Sequence, residues 1–137
     1  MPRFGTDEWA RAVHDAIDAS SEYRNAAAGW GKDGGGNILL AFEPDAALAS
    51  GRYLLLRLRA GRSEGVEFVP GPSHPEASFA LRGPFTLWRD VLERRTMAAT
   101  AILTGRLRVE GDRMTLLKHT NAHRALVHVV SSVPTEF

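Results

Sequence analysis

A chain of 137 residues with 44% apolar and 24% charged residues has the make-up of an ordinary globular protein, and one domain over residues 1–137 is expected. The absence of cysteine excludes disulfides, thiolate catalysis and cysteine metal sites, and a net charge of +1 provides no global field to draw nucleic acid. There is no apolar run of bilayer length and no signal-peptide core in "MPRFGTDEWA", so a cytoplasmic protein is expected; fifteen Arg against two Lys, with abundant Ala and Gly, fit GC-rich bacterial coding.

From Thr6 to Ala28 the spacing predicts one helix. Thr6 suits the N-cap, Asp7 and Glu8 suit the first turn, and Trp9, Val13, Ala16, Ile17 and Ser20 form a stripe. The glycine-rich "GWGKDGGGN" ends it, and "ILLAFEP" follows as a strand with Ile38, Leu40 and Phe42 on one face. "RYLLLRLRA" sets Leu54, Leu56 and Leu58 against Tyr53, Arg57 and Arg59, and "GRSEG" makes a tight connection to "VEFV", predicting an antiparallel hairpin. The proline-rich "PGPSHPE" can be neither strand nor helix interior.

"ASFALRG" predicts a fourth strand with Phe79 and Leu81 inward. Two short helices follow: "GPFTLWRDVLERR", with Phe85, Trp88, Val91 and Leu92 on one side, and "MAATAILTG", ending at Gly105. In "TGRLRVEGDRM" strict alternation points Leu107 and Val109 one way and Arg106, Arg108 and Glu110 the other, a half-buried fifth strand. A terminal helix is predicted from Asp112 to about Ser131, with Met114, Leu117, Ala122, Leu126 and Val130 apolar. This order predicts an α+β fold, a sheet covered by helices mainly on one side. Helices between the fourth and fifth strands would allow that pair to be parallel.

Several motifs invite chemistry and carry little. "GWGKDGGGN" resembles a phosphate loop in composition alone: a helix precedes it, Asp33 follows Lys32, and a strand comes next, the reverse of the required order. His119 and His123, four apart on a predicted helix, could share a metal, but no Glu lies between them and no third ligand is identifiable. No G-x-S-x-G elbow is present. The basic stripe Arg57, Arg59, Arg106 and Arg108 is offset by Glu64, Glu67 and Glu110 and lacks stacking aromatics; a wet sheet face, with no nucleic-acid partner, is the expectation.

Between Ala77 and His119 the chain resembles the sterol carrier protein family of non-specific lipid-transfer domains. "ASFAL" matches the family's A-x-F-x-L strand, and "FTLWRDVL" its following helix. "AILTG" matches the next helix end, and "TGRLRVEG" the G-K-L-K-[IV]-x-G strand, with Arg106 and Arg108 in place of lysines. Upstream, "EYRNAAAGW" and "ILLAFEPD" are similar to bacterial members; Thr96 and Met97 stand where a proline is common. The resemblance implies a five-stranded mixed, mostly antiparallel sheet covered on one face by helices, with an apolar tunnel between the layers. It implies a non-catalytic carrier of fatty acids, fatty acyl-CoA, sterols or isoprenoid-like lipids, with no cofactor and no metal.

On that reading the expected tunnel lining is Phe42, Leu56, Phe79, Leu81, Trp88, Leu92, Met97, Ile102, Leu103, Met114 and Leu117, each inward on a strand or apolar on a covering helix. The expected partners are the lipid or acyl-CoA itself and a transient contact with a membrane or a lipid-handling enzyme, the chain being a monomer or weak dimer. A rival expectation is a small enzyme acting on a lipid-like substrate in the same cavity through His119 and His123.

Overall fold

A computed structural model describes all residues, Met1–Phe137. Helix α1 (Asp7–Ala19) starts where Thr6 Oγ1 accepts the Trp9 N–H at 3.2 Å, and it buries Trp9, Ala10, Val13 and Ile17. The single helix expected through Ala28 is instead two. Ser20 is extended, and its hydroxyl accepts the Tyr23 N–H at 3.0 Å, so the residue placed in the helical stripe is the cap of α2 (Ser21–Ala26).

Five strands form one sheet in the order β3-β2-β1-β4-β5: β1 (Ile38–Glu43), β2 (Arg52–Arg59), β3 (Arg62–Val69), β4 (Phe79–Pro84) and β5 (Arg108–Glu110). The β2–β3 hairpin turns on two residues, Ala60 and Gly61, both at positive φ (51° and 81°), the geometry whose twist suits a two-residue hairpin. Most of "GRSEG" is therefore strand rather than connection, with a register shift absorbing one residue between Arg57 and Leu58. Asp18 of α1 pins this corner by taking Arg62 Nε and Nη2 at 2.8 and 3.0 Å.

The parallel pair is β1 with β4, in register from Ile38↔Phe79 to Glu43↔Pro84; β4 and β5 are antiparallel, against the expectation for them. Helices α3 (Phe85–Leu92) and α4 (Ala98–Leu103) return the chain to the end at which β4 finished, where Leu107 packs a methyl against Gly83. The next strand can only run back.

Residues 70–78 must carry the chain from the sheet's edge to β1's free side, and they do so across the face away from the helices. Arg57 holds Glu67 at 3.1 Å and Glu76 at 3.0 Å, and the Arg82 guanidinium donates to the Pro72 carbonyl at 2.5 Å. Beneath this strap lies a small apolar patch of Leu39, Leu55, Val69 and Ala80. The main core occupies the other face, under α1, α3 and α6 (Thr120–Ser132). The expected terminal helix is also two: His119 (φ −120°, ψ 34°) separates α5 (Arg113–Lys118), capped by Asp112, from α6.

The hairpin turn supplies a stability test. A Cβ on Gly61 would lie 2.6 Å from the Arg24 carbonyl oxygen, backbone that cannot swing aside, and φ is +81°. Gly61→Ala should cost upwards of about 1 kcal/mol and lower the thermal midpoint, whereas Ala60→Asn, which tolerates positive φ, should hold or raise it.

Candidate functional site

Ile38, Leu40 and Phe42 of β1, Leu54, Leu56 and Leu58 of β2, and Phe79 of β4 form one apolar floor, because side chains two apart on a strand share a face. Helix α3 lays Leu87, Trp88 and Val91 on that floor. Its start has no cap from its own residues. Asp45, from the β1–β2 connection, accepts the Thr86 N–H at 2.8 Å and the Thr86 hydroxyl at 3.0 Å; these bonds hold the Asp45 carboxyl below its ordinary pKa. Trp88 is fixed at both ends. Its Nε1–H donates to the Ala41 carbonyl at 2.8 Å, and its ring lies 5.0 Å from that of Phe42.

The eleven residues expected to line a tunnel divide into two sets. Phe42, Leu56, Phe79 and Trp88 are buried together, and Leu81 and Leu92 are half-buried against the same cluster. Met97, Ile102, Leu103, Met114 and Leu117 are on the surface, from 39% exposed for Ile102 to 87% for Leu103. The break at His119 explains Met114 and Leu117: α5 does not continue the face that α6 buries, and only its Leu116 packs on the core. Two open concavities, of about 310 and 210 Å3, lie elsewhere. The first is lined by Gly29–Gly35 with Thr115 and His119; the second lies between α1, α2 and α6.

The glycine-rich joint serves close packing. A Cβ on Gly36 would come within 2.9 Å of both Gly31 Cα and the Leu58 carbonyl oxygen, and the Gly36 carbonyl accepts Trp30 Nε1–H at 2.9 Å. Around the Trp30 ring stand Phe79 at 5.0 Å, His119 at 5.3 Å and His123 at 4.4 Å, both histidines edge-on. No third His, Asp or Glu joins them. His123 Nε2 is buried without a hydrogen-bond partner, and burial, with a smaller contribution from His119, lowers its pKa to about 4. This aromatic–histidine cluster was missed in the sequence; the signal was there in Trp30, but its histidine partners lie far along the chain, at 119 and 123.

Of the basic stripe, Arg57 is spent on the strap and Arg108 pairs with Glu43, while Arg59 and Arg106 stay in water. The outer face of the sheet is thus partly solvated and partly the seat of residues 70–78.

The family model for the SCP-2 sterol transfer family matches residues 35–123, which contain the apolar floor, α3, α4 and the Trp30-facing histidines. The chain belongs to the SCP-2 sterol transfer family. Among solved structures it is similar to a sterol carrier protein 2 crystal structure, with 29% identity, a TM-score of 0.85, and 96% of this chain and 100% of that one covered. It is also similar to a conserved hypothetical protein of Thermus thermophilus described as possibly a sterol carrier protein, with 28% identity, a TM-score of 0.83 and coverage of 99% and 93%. The SCP2 protein UbiJ of ubiquinone synthesis shares the fold at 17% identity and a TM-score of 0.56, with 98% of each chain covered. No curated protein matches by sequence. The five-stranded α+β architecture of this SCP-2 family chain agrees with that expected from its Ala77–His119 motifs.

A half-buried histidine with a lowered pKa has a consequence for acid stability. Because the native pKa of His123 lies below the unfolded value of about 6.5, only the unfolded chain takes the proton between pH 6.5 and about 4. Stability should fall as pH drops through that window. His123→Phe should flatten the fall in urea midpoint between pH 7 and pH 4.5; an unchanged slope would assign it to other groups.

Proposed function

We propose that this chain binds and carries a lipid, its alkyl or isoprenoid chain lying between the sheet floor and the helices, without catalysing a reaction on it. The candidate cargoes are fatty acids, fatty acyl-CoA and sterol- or isoprenoid-like molecules. The observation that carries this reading is the pairing of one continuous apolar floor with a loosely held rim. Phe42, Leu56, Phe79, Leu81, Trp88 and Leu92 would form the inner wall. Met97, Ile102, Leu103, Met114 and Leu117 would form the mouth.

The rim can part at low cost. Helix α4 buries only Ala101 and α5 buries no residue, so displacing them exposes little apolar surface. The floor stays in place, because Trp88 is held by the Ala41 carbonyl and α3 by Asp45. Each methylene taken from water contributes about 0.8 kcal/mol, so a twelve-carbon chain gains roughly 10 kcal/mol before ordering and association costs. Micromolar affinity with broad selectivity follows, since apolar walls separate similar chains by only about 1–3 kcal/mol per methylene. Methionines at the mouth suit cargoes of varied shape.

An enzyme using His119 and His123 is the weaker reading: both rings lie edge-on to Trp30, and the unpartnered Nε2 of His123 is buried. Turnover of a lipid ester abolished by His123→Ala would revive it.

Native mass spectrometry before and after organic extraction tests the carrier reading. Lipid at near one per chain, identified in the extract, is the expected result; a chain that is free of lipid and rejects added acyl chains would overturn it. Leu92→Ala and Trp88→Ala should weaken acyl-chain binding severalfold, each checked for folding by its thermal transition, while Arg106→Ala should leave it unchanged. Equal loss in all three would reject the assigned wall.

A further inference from the structure

Two buried side-chain polar atoms in the chain have no hydrogen-bond partner: Arg52 Nε and His123 Nε2. A buried donor or acceptor left alone costs free energy, so each calls for an account. Arg52 has one within the fold. Its Nη2 donates to the Gly5 carbonyl, and its guanidinium lies 4.7 Å over the Phe68 ring. His123 has none. The Trp30 ring, 4.4 Å away, has already given its Nε1–H to the Gly36 carbonyl, and Phe79 beyond it offers only carbon.

This lone nitrogen stands at one end of the apolar floor. Phe79, Ile38 and Leu56 form the row of the sheet at that end, and Phe79 packs 5.0 Å from Trp30. From Ile38 to Phe42 the floor runs about 13 Å along β1. Beside the same end lies the open concavity of about 310 Å3, whose wall includes Trp30, Thr115 and His119. Trp30, the ring against His123, is therefore shared by the floor and the concavity. Thr115 belongs to α5, which buries no residue, so a small shift of α5 would join the two spaces. The charged residues of the concavity, Lys32 and Asp33, are one of each sign and both exposed.

Burial keeps His123 neutral at pH 7: with its pKa lowered to about 4, roughly one chain in a thousand carries the extra proton. A neutral imidazole has one donor and one acceptor nitrogen, and the tautomer decides which of them is Nε2. A hydroxyl answers either, because it both donates and accepts. A carboxylate only accepts, and it would bring a charge to an imidazole that has none to offer in return. Trp88 and α3 are pinned to the sheet while α4 and α5 are weakly held, so the space that opens suits a slender chain rather than a fused-ring plate. We propose that the cargo is an acyclic lipid alcohol, its hydroxyl bonded to His123 Nε2 and its chain laid over Phe79 and Leu56. The inference rests on the carrier reading and narrows it to one class, with His123 as the residue that selects that class.

Calorimetric titration of the full chain at pH 7 with dodecanol and with dodecanoate, equal in chain length, tests it. Dodecanol should bind about tenfold more tightly, and cholesterol should not displace it. His123→Phe, which keeps a ring and removes both nitrogens, should weaken dodecanol binding about fivefold and leave dodecanoate unchanged. His123→Gln, which keeps a donor and an acceptor, should hold most of the preference. In the wild-type chain dodecanol should move the NMR resonance of His123 Nε2 and leave that of the exposed His128 in place, a readout that needs no variant to fold. Dodecanoate bound as tightly as dodecanol, equal losses of both in His123→Phe, displacement by cholesterol, or an unmoved Nε2 resonance would each overturn the proposal and leave the carrier reading standing. A chain that binds neither probe and yields no lipid on extraction overturns both.

Discussion

The parallel pairing of β1 with β4 at the centre of the sheet is the constraint on which the rest depends. A parallel neighbour cannot be reached by a tight turn, so the chain must travel the length of the sheet between the two strands. It first spends the β2–β3 hairpin on the other side of β1, then returns through residues 70–78 over the back face. That return path needs anchors, and Arg57, Arg82 and Asn37 supply them, Asn37 Nδ2 donating to the Glu76 carbonyl at 3.1 Å. With the back face occupied by a strap, the helices are left to cover the front face, and one broad apolar floor results.

The cover over that floor is uneven. Helices α1, α3 and α6 bury clear stripes and carry hydrogen-bonded anchors such as Trp88 to Ala41 and Trp9 Nε1–H to Thr135 at 2.8 Å. The ends of the chain are tied into this firm part, the Phe4 N–H donating to the Glu136 carbonyl and the Phe4 ring packing on Phe137. Helices α4 and α5 are short, lean on the core through small or single residues, and show their larger apolar side chains to water. A firm floor beside a weakly held rim would suit the proposed uptake of an apolar molecule, because only the rim would have to move.

Much of this could be read along the chain. The alternation of Leu54, Leu56 and Leu58, and of Leu107 and Val109, marked strands and their inward faces, since period two has one structural meaning. Thr6, Asp7 and Glu8 marked the start of α1 through local capping and dipole chemistry. The motifs from Ala77 to His119 pointed to the family that the match over residues 35–123 establishes. The helix breaks at Ser20 and His119 were harder, because a serine or histidine inside an apolar pattern reads equally as one more helical residue. For Ser20 the choice fell to a local hydroxyl cap, and at His119 the ring packs on Trp30, far away in sequence.

By itself, then, the sequence determined the order of the strands and of the main helical segments, the inward faces of β1, β2, β4 and β5, and the family, all of which rest on interactions within a few residues or on a matched motif. Tertiary structure alone decided which strands are parallel neighbours, which face the proline-rich segment covers, and which apolar side chains stay in water. Those outcomes depend on contacts between distant segments: Leu107 against Gly83, Glu76 against Arg57, the histidines against Trp30. Met114 and Leu126 look alike in a helical pattern. Only the packing of α6, and the release of α5 from it, sets one on the surface and the other in the core.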